Sequence, residues 1–189
     1  MLKIIIGGIL GAIIAFAWSF VSWTVLPWHS FTMNKFTNEE FVSWVIKENT
    51  PKSGVYVAPH FEVKDDSLDH GEVKKGHEKQ KSAPKKKPFI YTQVSLKGID
   101  PSNPWIYVFS FFTQFVGAAL ISWVLLQTSC EYGKRLLCVT LLGFLVGVLG
   151  FIPDWNWFGA GYKFTLVMVA DVVVTWFLAG LVLAAYVKP

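Results

Sequence analysis

The stretch FTLVMVADVVVTWFLAGLVLAAYV, residues 164–187, decides how this chain folds. Asp171 is its only charged residue. A helix rises about 1.5 Å per residue and a bilayer's hydrocarbon core is about 30 Å thick, so about 20 apolar residues suffice to cross it. Three more apolar runs lie upstream, over residues 4–26, 105–128 and 136–152. The last, at about 17 residues, sits at the short limit for a span. In lipid each run can satisfy its backbone hydrogen bonds internally only as a helix. Nothing resembles the short alternating segments of an outer-membrane barrel. The expected fold is therefore integral membrane, mainly α: a four-transmembrane-helix bundle with spans over residues 1–26, 105–128, 136–152 and 162–187.

Composition points the same way. The chain is 53% hydrophobic and 16% charged, with a mean hydropathy of +0.44. These values are wrong for a water-soluble domain, because too little polar chain remains to cover the helices. Charge gathers between Lys35 and Asp100 or at span ends. The short connection between the second and third spans carries Lys134 and Arg135, whereas the next has Asp154 and no cation before Lys163. With Lys3 and Lys188 on the same side, the positive-inside rule puts both termini in the cytoplasm and residues 27–104 outside it. Ala15-Phe16-Ala17 resembles a signal-peptidase site, but the apolar pattern runs on through Trp18, Phe20, Val21 and Trp23 to Leu26. The first segment thus reads as an uncleaved signal anchor. Gly7-x-x-x-Gly11 supports this, since it offers a close-packing face.

The outer segment, residues 27–104, reads as a small α+β subdomain. Thr37-Asn38-Glu39-Glu40 has the form of a capping box, and Phe41, Trp44 and Val45 follow at helical spacing. This amphipathic helix is expected to lie on the membrane surface or against the outer loop. Residues 54–58 and 89–96 carry strand signals and pair most simply as an antiparallel hairpin. Between them, residues 62–88 are poor in apolar side chains and rich in lysine, and are expected to be a disordered insertion. Lysine clusters attract anionic lipid, but this one has no interleaved aromatics, so nucleic acid is not an expected partner.

Asp171 is the sharpest chemical feature. A carboxylate at that depth costs several kcal/mol unless paired, protonated or hydrated, so it should face the bundle. Gln114 lies equally deep in its span, and Ser110 and Ser19 stand near the same level. A buried polar cluster of Asp171, Gln114, Ser110 and Ser19 is expected, with Asp171 neutral and donating. Trp155, Asn156, Trp157 and Phe158 are expected to form an interfacial aromatic turn, anchored by indoles at headgroup depth. Cys130 and Cys138 form no C-x-x-C pair, and His29, His60, His70 and His77 all fall outside the spans. No nucleotide, hydrolase or metalloprotease motif occurs. No cofactor and no metal are expected.

Gly54-Val55-Tyr56, the run from Pro153 to Gly159, and a last helix bearing Asp171 and ending Trp176-Phe177-Leu178-Ala179-Gly180-Leu181 together resemble a family of uncharacterised small bacterial inner-membrane proteins. That resemblance implies a bacterial inner-membrane location and no activity. The function expected is non-catalytic: a bundle presenting its outer subdomain to a membrane or periplasmic protein partner or to the cell envelope. The alternatives are a small proton- or cation-coupled transporter or channel component using Asp171, and a membrane enzyme or redox accessory subunit. Besides the lipid bilayer, a homo-oligomeric partner is open, because Gly143-x-x-x-Gly147 and Gly180-x-x-x-Ala184 permit close packing within one chain or between chains.

Overall fold

The computed structural model describes residues 1–60 and 88–188. Apart from Pro88, the insertion expected over residues 62–88 lies outside the described residues. The chain divides into two compact units, Met1–Thr37 with Asp100–Pro189, and Asn38–Ile99.

The first unit holds four helices long and apolar enough to cross a membrane. Helix α1 (Leu2–Phe20) continues into a π turn (Val21–Val25), and α3 (Pro104–Leu126), α4 (Tyr132–Phe158) and α5 (Tyr162–Tyr186) complete the set. Only 17% to 28% of each apolar window is buried inside the bundle. Side chains such as Phe109, Leu120, Leu149 and Leu166 point outward. An apolar surface of that extent is stable in lipid and not in water. This is a mainly α, multi-pass membrane fold.

Small residues set the packing. Helix α1 turns a face of Gly7, Gly8, Gly11, Ala12 and Ala15 inward, between α3 and α5. A Cβ placed on Gly11 would stand 2.7 Å from Ala118 Cβ of α3 and 3.2 Å from Leu183 of α5. On the far side of α5, Gly143 of α4 admits Trp176, whose Cβ would lie 2.6 Å from an added one. The two glycine faces of α1 and α4 are thus used within the chain. Helix α5 packs on α4 and α1, and α1 packs on α3, while α3 and α5 barely meet.

At one end of the bundle, cations reach carbonyls in the last turn of α5 and just beyond it. Arg135 Nε donates to Ala184 O at 2.9 Å and Lys3 Nζ to Lys188 O at 2.6 Å. The first satisfies an orphan carbonyl of the last turn, and both cations oppose the negative end of the helix dipole.

The third span differs from the sequence reading. Residues 136–152 are only its middle, for α4 covers 27 residues and contains Pro153. The proline forgoes one backbone bond, and the helix runs on for five more residues before Gly159 stops it at φ 73°. The N–H groups of Gly159 and Ala160 both close that end on Asp154 O, the second at 3.1 Å. Trp155, Asn156, Trp157 and Phe158 therefore form the last helical turn rather than a loop, and all four side chains are exposed.

In the second unit, α2 (Glu39–Asn49) is capped by Asn38, not Thr37: Phe41 N–H donates to Asn38 Oδ1 at 2.9 Å. That shift places Glu39 and Glu40 in the first turn, where carboxylates complement the dipole. Strands β1 (Gly54–Ala58) and β2 (Ile90–Val94) pair antiparallel, with Tyr56 opposite Thr92. Beyond the ladder, Leu96 N–H donates to Ser53 Oγ at 3.0 Å.

Candidate functional site

The site begins with Pro27. At the end of α1 the Leu26 N–H reaches back five residues to Val21 O at 3.0 Å, which closes the π turn. The next amide would bond Ser22 O, but proline has no N–H. Ser22 O is therefore free, and Trp28 Nε1–H takes it at 3.2 Å. Single π turns inside α-helices occur frequently at functional sites. Here the turn and the proline point Ser22 and Trp28 into the bundle together.

After Pro27 the chain folds back. Phe31 N–H and Ser30 Oγ donate to Pro27 O at 3.0 and 2.8 Å, and the short turn Ser30–Thr32 lies on α5. This return carries His29 underneath Trp23, with ring centroids 3.9 Å apart and planes 7° from parallel. Trp28 meets the same imidazole edge-on at 5.3 Å. His29 is 3% exposed and Ser22 0%.

Asp171 comes from α5 and is 7% exposed. Its Oδ1 accepts from Trp18 Nε1–H at 2.7 Å and from Ser22 Oγ–H at 2.7 Å. Its Oδ2 stands 3.4 Å from His29 Nε2. The Trp28 Nε1–H that reaches Ser22 O is shared with Ser22 Oγ at 3.1 Å, and Ser22 Oγ lies 3.1 Å from His29 Nε2. With Asp171 ionised, counting hydrogens assigns the roles. The single hydroxyl hydrogen of Ser22 goes to Oδ1, so the hydrogen between Ser22 and His29 belongs to Nε2. Every neighbour of the carboxyl is then a donor, and Asp171 acts as an acceptor on both oxygens. The neutral, donating Asp171 expected from the sequence would instead carry its hydrogen on Oδ2, facing a bare Nε2 at the same 3.4 Å. His29 Nδ1 is left buried without a hydrogen-bond partner among the described residues.

Of the four residues expected in a polar cluster, Asp171 is placed as described, facing the bundle. Gln114 and Ser19 are half-buried and Ser110 is exposed, and the carboxylate meets Trp18, Ser22 and His29 in their place. The physical reason is lateral order. Depth alone puts Gln114 level with Asp171, but α1 stands between α3 and α5 and offers its own side chains first. Ser19 lies one residue past Trp18, about 100° around the helix, and so misses the face that Trp18 and Ser22 share. His29 lies outside the spans by sequence, and the fold-back after Pro27 brings it to the carboxylate. The sequence did carry a signal for it: Pro27 ends the helix and is followed at once by two polar-tipped rings, Trp28 and His29.

Serine, histidine and aspartate together invite comparison with a hydrolytic triad. Such a relay needs the serine on one imidazole nitrogen and the carboxylate on the other. Here both meet Nε2, so the trio does not form that relay. No group of three or more His, Cys, Asp or Glu suited to a metal ion occurs among the described residues. What the arrangement offers chemically is a buried carboxyl group, donors around it, and one buried imidazole nitrogen without a hydrogen-bond partner among the described residues. Comparisons with protein-family models, with curated proteins and with solved structures find no match for this chain.

Proposed function

We propose that the chain is a small component of proton- or cation-coupled transport across a membrane, in which the buried pair of Asp171 and His29 takes the coupling ion. The observation that carries this reading is the approach of His29 Nε2 to Asp171 Oδ2, 3.4 Å, inside the bundle. A lone carboxylate among apolar helices would be thin support for such a role, whereas a carboxylate with an imidazole beside it is a pair able to hold and release a proton. The membrane is proposed to be a bacterial inner membrane, with both termini in the cytoplasm. In support, Lys3, Arg135 and the carbonyl of Lys188 meet at one end of the bundle.

The test is ion flux. Protein reconstituted in liposomes loaded with a pH-sensitive dye should pass protons under an imposed potential, and Asp171→Asn should abolish the flux while the protein still folds. Equal flux from both proteins would overturn the proposal.

A second reading rests on a separate observation. Phe41 and Trp44 stand exposed on α2, their rings 6.0 Å apart, as an aromatic pair would on a surface that presents the outer unit to a partner protein. Photocrosslinking from position 44 in cells tests it. A specific adduct that persists in Asp171→Asn would support presentation, and its absence would remove this reading.

A further inference from the structure

Resting on the ion-coupled reading, we infer that the ion taken at this site is a proton, that it binds His29 Nδ1, and that Trp23 holds the resulting imidazolium. The first step is elimination by hydrogen-bond role. A metal cation needs several oxygen lone pairs turned toward it. Here Asp171 Oδ1 already accepts two hydrogen bonds, Oδ2 faces Nε2, and Ser22 Oγ accepts from Trp28. The shell around the carboxylate therefore presents hydrogens, which repel a metal ion. A proton needs a single lone pair, and His29 Nδ1 holds one that no neighbour among the described residues uses.

The charges then follow. Proton addition at Nδ1 forms an N–H bond and breaks none in the protein. It turns a carboxylate beside a neutral ring into a neutral carboxylate–imidazolium pair. In surroundings of low dielectric the paired state avoids the cost of an isolated charge. From α5 the ring is faced by Asp171, and from the end of α1 and the following loop by Ser22, Trp23 and Trp28, none of which carries charge. Trp23 lies flat on the imidazole at 3.9 Å, and an indole face attracts a cation by about 0.5 to 2 kcal/mol. Trp23 is thus a positioning residue for the protonated state.

The experiment uses the full chain in lipid nanodiscs with nitrogen-15 histidine. The chain has four histidines, and His29→Gln identifies the relevant signals. At alkaline pH, His29 should carry its hydrogen on Nε2 with Nδ1 bare, and acidification should protonate Nδ1. Trp23→Leu should weaken that protonation by about 2- to 30-fold, and Trp23→Phe should restore most of it. Rescue by phenylalanine is not expected if Trp23 only fills space for an indole. Two results would overturn the inference: a hydrogen on Nδ1 at alkaline pH, or a ring that stays neutral while a carboxylic-acid infrared band, lost in Asp171→Asn, appears on acidification. The second result would leave proton binding at the site intact. If neither group takes up a proton, the ion-coupled reading fails as well.

Discussion

Replacing Asp171 by asparagine changes only one atom's hydrogen-bonding sense, and its consequence can be worked through the site. The amide oxygen can still accept from Trp18 Nε1 and Ser22 Oγ, both at 2.7 Å in the wild type. The amide nitrogen then replaces Oδ2, 3.4 Å from His29 Nε2, so two donors face each other. His29 can relieve this by moving its hydrogen to Nδ1, but that nitrogen is buried without a partner among the described residues. A buried unsatisfied donor costs about 1 to 3 kcal/mol, which is the expected loss of stability. The effect on the charged ring is larger. A buried imidazolium without its counter-charge is disfavoured by about 3 to 5 kcal/mol, which weakens proton binding on the order of a hundred- to several-thousand-fold. Thermal unfolding in detergent reads the first quantity and histidine nitrogen-15 spectra read the second. A variant of wild-type stability that keeps its hydrogen on Nε2 would refute the assigned hydrogen-bond roles.

Other substitutions probe the surroundings. Trp18→Phe removes one donor from Asp171 and keeps the ring, and should cost about 0.6 to 1.7 kcal/mol in detergent unfolding. Gly143→Val sets a Cβ 2.6 Å from Trp176 Cβ, and overpacking of this kind should cost about 1 to 3 kcal/mol by the same measurement. Outside the spans, the hydroxyl and backbone N–H of Ser102 hold the Asp100 carboxyl below the ordinary carboxylate range. The stability this turn contributes is present above the unfolded carboxyl's titration and is lost as pH falls through the lowered folded one. Carbon-13 spectra should therefore show Asp100 titrating at higher pH in Ser102→Ala than in the wild type.

Apolar length revealed the spans because lipid imposes a single backbone solution on any run of about 20 apolar residues. Strand composition revealed the outer hairpin, since Gly54–Ala58 and Ile90–Val94 are short runs with β-branched and aromatic residues. Apolar length alone undercounts the third span, because α4 continues through Pro153 into polar and aromatic residues and Gly159 makes the stop. Asp171 stood out in the sequence because a charge inside a span is rare. Its partners did not, because side-by-side order in a bundle is not encoded in depth. Gln114 has the right depth on a helix that barely meets α5. His29 has the wrong apparent depth, and only the fold-back after Pro27 brings it to the carboxylate.

Direct measurement of proton uptake tests the central claim most closely. Purified protein in unbuffered detergent solution is given a small acid pulse, and the protons bound per chain are counted for the wild type, Asp171→Asn and His29→Gln. Uptake by the wild type that is lost in both variants, with all three proteins folded, is the predicted result. Equal uptake by all three would contradict it and leave the Asp171–His29 contact a packing feature.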